Sequence, residues 1–96
     1  MKIDLSGRTA VVVGGSGGLG EAMAHTLSGA GVKIALVGRN QAKLDKVAGD
    51  LKAKGGAVET FTADMVSESD VARLAKNVNA KFGNPQILIN SKTTIA

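Results

Sequence analysis

The stretch Val13-Gly14-Gly15-Ser16-Gly17-Gly18-Leu19-Gly20 holds the residues whose types and spacing could do chemistry. Glycines this dense let bare backbone amides approach a ligand, and some turns of this kind need a positive φ. If a helix begins there, its first amides and its dipole favour phosphate. Gly15, Gly17 and Gly20 satisfy the dinucleotide pattern G-x-G-x-x-G, and Gly14, Gly18 and Gly20 satisfy G-x-x-x-G-x-G. Either match is weak alone and strong when a strand precedes it and a helix follows. The plain alternative is a flexible glycine loop.

Two other chemistries use similar turns. A nucleotide triphosphate loop needs a lysine after its last glycine, but Glu21 follows Gly20; a carboxylate there repels the phosphates. Gly14-Gly15-Ser16-Gly17-Gly18 also spells the G-x-S-x-G nucleophile elbow of hydrolases. That elbow needs an acid and then a histidine further along, whereas the one histidine, His25, lies on the helix that follows at once. No triad assembles, which leaves Ser16 as a hydrogen-bonding partner for phosphate. His25 reads as a solvated or half-buried helix residue. With no second histidine and no expected gathering of carboxylates around it, no metal site is expected.

A second position bears on the ligand. Lys33-Ile34-Ala35-Leu36-Val37 reads as a strand and ends in Gly38-Arg39-Asn40, without an acid. In dinucleotide sites a carboxylate at this place accepts from the adenosine ribose hydroxyls, whereas a 2′-phosphate calls for a cation. The forked guanidinium of Arg39 suits that phosphate, so NADP(H) is expected in preference to NAD(H). The bland alternative is an ordinary exposed arginine at a helix start.

These positions need a frame. Thr9-Ala10-Val11-Val12-Val13 is a β-branched run leading into the glycines. Leu19, Ala22, Met23, Thr26, Leu27 and Ala30 then fall on one helical face, and Gly29 and Gly31 suit its end. Asn40 can cap a second helix with Leu44, Val47, Ala48 and Leu51 inward; Gly55-Gly56 closes it. Residues 57–62 read as a third strand leading to Asp64. Ser67 and Asp70 resemble a capping box, and Val71, Leu74, Ala75, Val78 and Phe82 give the third helix its buried stripe, ended by Gly83-Asn84-Pro85. Gln86-Ile87-Leu88-Ile89-Asn90 is the fourth strand. The alternation predicts an α/β fold in one partial domain over 1–96: a Rossmann-type, doubly wound parallel sheet of about four strands, ordered 3-2-1-4, with three helices. Residues 91–96 begin no recognisable element and the fourth strand is left as an edge. The sequence therefore reads as a fragment, whose partner would be a missing C-terminal half or a second copy.

Composition narrows the function classes. With 44% hydrophobic and only 2% aromatic residues among 96, the core must be aliphatic, as parallel sheets under helices are. The absence of cysteine excludes disulfides and thiol chemistry and suits a reducing cytoplasm. The first ten residues carry Lys2, Asp4 and Arg8, so no signal-peptide core is present there, and no apolar run is long enough for a membrane span. A net charge of +4 points to an anionic partner. The bases are dispersed and Tyr and Trp are absent, which argues against nucleic acid.

From Leu5-Ser6-Gly7-Arg8 to about Asn90 the chain resembles the short-chain dehydrogenase/reductase family. The family opening T-G-x-x-x-G-x-G stands here as Val13 through Leu19 to Gly20, with Val13 in place of the threonine. Gly38-Arg39-Asn40 resembles its NADP-preferring members. The resemblance implies adenine contacts from Asp64 and Met65, with Asp64 accepting from the amino group, and a sheet-supporting role near the cofactor ribose for Asn90. After Asn90, Lys92 and Thr93 stand where the family has small residues. The implied reaction is hydride transfer between a nicotinamide and a carbonyl or alcohol, with a tyrosine as acid/base and a lysine four residues later. This chain has no tyrosine. The expectation is an NADP(H)-binding part of an oxidoreductase, inactive by itself; the alternative is a non-catalytic nucleotide-binding or assembly module.

Overall fold

The computed structural model of the chain describes residues 7–14, 18–64, 67–83 and 85–90. Gly15, Ser16, Gly17, Met65 and the tail 91–96 lie outside the described residues. Seven elements alternate: β1 (Thr9–Val13), α1 (Gly18–Gly29), β2 (Lys33–Gly38), α2 (Gln41–Ala53), β3 (Val58–Thr62), α3 (Glu68–Phe82) and β4 (Ile87–Asn90). The sheet is parallel throughout and ordered β3-β2-β1-β4. The predicted Rossmann-type architecture is therefore the observed one.

Side chains alternating along β1 and β2 divide the core between the two faces of the sheet. Ala10, Val12, Ile34 and Leu36 pack with Ala24 of α1 and Leu44, Val47, Ala48 and Leu51 of α2. Val11, Val13, Ala35 and Val37 pack on the other side with Leu74 and Val78 of α3. Every residue of β1 is buried, as a central strand covered on both faces requires. Each fully buried aliphatic side chain contributes roughly 1.5–3 kcal/mol to holding strand and helix together. Gln86, read as the first residue of the fourth strand, precedes it: its side-chain Oε1 accepts from the Thr9 amide at 2.9 Å and its own amide donates to the Thr9 carbonyl at 3.0 Å.

The expected stripe of α2 is the observed one, since Leu44, Val47, Ala48 and Leu51 are all buried. That of α1 is rotated. Gly20 and Ala24 are its buried residues and Leu27 packs partly behind them, while Leu19 is 64% exposed and Ala22 and Thr26 face outward. The face pressed to the sheet is the one with the smallest side chains, because close approach of helix to strand outweighs side-chain hydrophobicity there. A left-handed residue ends the helix: Gly31, at φ 92°, donates to Ser28 O while Val32 donates to Leu27 O, satisfying two of the last carbonyls.

In α3, Leu74 and Val78 are buried and Phe82 partly so, but Val71 is 37% exposed and Ala75 is exposed as well. Both border an apolar cavity of about 350 Å³ that also touches Val11, Val13 and Leu88. That open space leaves these two members of the expected stripe exposed.

Candidate functional site

Parallel pairing puts the carboxyl ends of the strands side by side: Val13 is in register with Val37 and with Asn90, and Gly38 with Thr62. In open sheets of this kind ligands bind beyond that edge, where neighbouring strands send their chains to opposite faces. Here β1, which runs on to α1, lies between β2 and β4.

At the end of β1 the chain turns through Gly14, whose φ is 78°. This conformation is cheap only for glycine. Its amide donates to the Val37 carbonyl at 2.8 Å, so Gly14 shapes the turn and spends its N–H on the sheet. Gly18 begins α1, exposed, with Leu19 exposed beside it and Gly20 buried against the core. Gly15, Ser16 and Gly17 complete the turn outside the described residues. The described parts thus place a strand end, a glycine turn and a helix N-terminus in succession, as the sequence pattern requires.

Arg39 follows β2 directly and is exposed. Among the described residues it makes no ion pair. Asn40 has extended backbone at φ −110° and caps α2: its Oδ1 accepts from the Lys43 amide at 3.1 Å. That oxygen is thereby committed to the helix. Asp64 follows β3 half-buried. Arg39 and Asp64 share a cavity of about 240 Å³ with Thr62, Ala63, Asp70 and Arg73. Asn90 pairs through its backbone with Val13 at the end of β4. The structure brings Gly14, Arg39, Asp64 and Asn90 to one edge of the sheet, and Met65 lies outside the described residues.

Asp70 and Arg73 were not expected at this edge. Ser67 caps α3 as expected, accepting from the Asp70 amide at 3.3 Å. The reciprocal half of the capping box is absent: the Asp70 carboxylate turns instead to the Asp64 amide at 2.8 Å, and the Ser67 amide donates to the Asp64 carbonyl at 2.9 Å. The other Asp70 oxygen accepts from Arg73 Nη2 at 3.1 Å. The available sequence signal was the Asp70–Arg73 spacing of three, which puts opposite charges on one helical face.

Carboxylates do gather around His25, contrary to expectation. Glu21, His25 and Asp50 have ligand-type atoms within 4.8 Å of one another. Packing of α1 beside α2 brings Asp50 in from a distance no local spacing reveals. Lys54 Nζ stands 3.3 Å from His25 Nδ1 and supplies positive charge to the group. Among the described residues no helix is long and apolar enough to cross a membrane.

The model of the family described as short chain dehydrogenase matches residues 8–94. An uncharacterised oxidoreductase of Staphylococcus saprophyticus is 38% identical over 90 residues, a match covering 93% of this chain and 38% of that protein. L-sorbose reductase from Gluconobacter frateurii, solved with NADPH and L-sorbose, superposes with a TM-score of 0.92 at 33% identity over 100% of this chain and 37% of its own. A metagenomic short-chain oxidoreductase solved with NADP gives a TM-score of 0.84 at 36% identity, covering 88% and 38% respectively. The chain thus spans less than two-fifths of these relatives. The strand order, the glycine turn entering α1 and these matches together show that the chain belongs to the short-chain dehydrogenase family.

Proposed function

We propose that this chain is the NADP(H)-holding part of an oxidoreductase that moves hydride between a nicotinamide and a carbonyl or alcohol. The observation that carries the reading is the pairing of the glycine turn at the end of β1 with Arg39 at the end of the adjacent β2. A diphosphate on the first amides of α1 would meet the positive end of the helix dipole. No acid stands in Gly38-Arg39-Asn40, so the neighbouring ribose position favours an added phosphate over hydroxyls alone. Two related structures were solved with NADP or NADPH and a third, 23% identical, with NAD, which supports a nicotinamide dinucleotide; the preference for NADP(H) rests on Arg39.

Within this chain the residues bind and orient. Gly14 holds the turn against β2; Ser16, Gly17, Gly18, Leu19 and Gly20 line or shape the diphosphate seat; Arg39 and the backbone of Asn40 take the adenosine ribose end. Asp64 and Met65 take the base, and the backbone at Asn90 lies beside the ribose. When bound, the nicotinamide supplies or accepts the hydride. No residue of this chain takes the acid/base role, since the chain has no tyrosine. Comparative calorimetric titration with NADP⁺ and NAD⁺ tests the reading. Tighter binding of NADP⁺, with a ratio that collapses in Arg39→Ala, is expected; an unchanged ratio would refute the preference.

A second reading has its own observation. Leu88 is 70% exposed on β4 beside the apolar cavity bordered by Val71 and Ala75, so this face suits an assembly module as well. Size-exclusion chromatography with light scattering separates the two: a dimer lost in Leu88→Lys favours assembly through β4.

A further inference from the structure

Arg39 and Arg73 line the same cavity of about 240 Å³, but their electrostatic situations differ. Arg39 has no ion-pair partner among the described residues. Arg73, 60% exposed, is paired with one Asp70 oxygen at 3.1 Å, and the second oxygen of that carboxylate holds the Asp64 amide at 2.8 Å. One carboxylate thereby fixes both a guanidinium and the loop that carries Asp64. A paired guanidinium is a poor receptor for a dianion. It keeps its flat, weakly hydrated face and its remaining N–H donors, which suit stacking on or edge-bonding to a neutral heteroaromatic ring.

Resting on the dinucleotide reading above, we propose that Arg73, held in place by Asp70, forms a wall of the adenine site and reads the base, leaving the 2′-phosphate to Arg39. The division follows from charge: the unpaired cation meets the phosphate and the carboxylate-paired one meets the purine. Asp64 lines the same cavity and offers a carboxylate acceptor for the amino edge of the ring. Arg73 is a specificity residue contributed by α3, an element that the glycine and Arg39 motifs do not touch.

Calorimetry with NADP⁺ and NAD⁺ on the 96-residue chain tests this. Arg73→Ala is expected to weaken both dinucleotides by one common factor, about three- to thirtyfold if a guanidinium–ring contact is lost, with their ratio unchanged. Arg73→Lys keeps the charge and loses the plane, so it should behave like the alanine variant; it also serves if the alanine variant folds poorly. Asp70→Asn should shift both affinities in the same direction by less. An effect of Arg73→Ala on NADP⁺ alone would make Arg73 a phosphate contact and overturn the proposal, as would no effect on either. Arg39→Ala, run in parallel, reports on the underlying reading: a ratio it leaves untouched sinks the 2′-phosphate assignment without touching that of the base. Failure of the wild type to bind either dinucleotide overturns both.

Discussion

The amide of Gly14 donates to the carbonyl of Val37 at 2.8 Å, so the turn that leaves β1 is fastened to the strand whose end carries Arg39. The two halves of the proposed cofactor site are thus tied by a backbone hydrogen bond.

Gly14→Ala should consequently damage stability and binding together. A non-glycine residue at φ 78° costs about 1–2 kcal/mol. The expected outcome is a lower urea midpoint together with a fall in affinity for NADP⁺ and NAD⁺ alike. Full stability with full affinity would show that the turn tolerates a side chain.

Arg39→Asp should do more than remove NADP(H) preference. It places a carboxylate where ribose hydroxyls can donate and repels a 2′-phosphate. Loss of a charge-assisted contact worth about 1.5–3 kcal/mol predicts a fall of roughly 10- to 150-fold in NADP⁺ affinity, with NAD⁺ held or improved. Titration at two salt concentrations checks the cause, because NADP⁺ binding to the wild type should weaken more steeply with salt than binding to the variant.

Asn40→Ala isolates the helix cap from the ligand. Its Oδ1 accepts from the Lys43 amide, and removing such a cap costs about 1 kcal/mol. In a domain of this size that lowers the melting temperature by roughly 4–8 °C. Differential scanning calorimetry reads the shift; the NADP⁺ to NAD⁺ ratio should stay close to that of the wild type.

Two leucines should behave oppositely. Leu36 is 0% exposed and Leu88 is 70% exposed. Leu36→Ala should cost about 2–5 kcal/mol through lost burial and the cavity left behind, enough to unfold much of the population. Leu88→Ala should leave the urea midpoint of a monomer nearly unchanged. A large loss at Leu88 would mean that its face is covered in solution.

Much of this protein could be read from local pattern. Strand and helix periods, the Asn40 and Ser67 caps and the burial of Leu44, Val47, Ala48 and Leu51 depend on residues a turn or less apart, and short connections between alternating elements imposed the parallel order β3-β2-β1-β4. The glycine turn and Arg39 were visible for the same reason, since each sits where one element gives way to the next.

Other features depended on how far one element lies from another, which spacing within an element does not encode. The inward face of α1 went to Gly20 and Ala24, with Leu27 partly behind them. The Asp70 carboxylate found the Asp64 amide instead of its own cap, and with it placed Arg73 at the strand ends. Asp50 reached His25 only through the packing of α1 beside α2. The sequence by itself determined which elements form, their order and the glycine turn after β1; the tertiary structure decided which charged side chains share a cavity, because those meetings are set by helix position over the sheet.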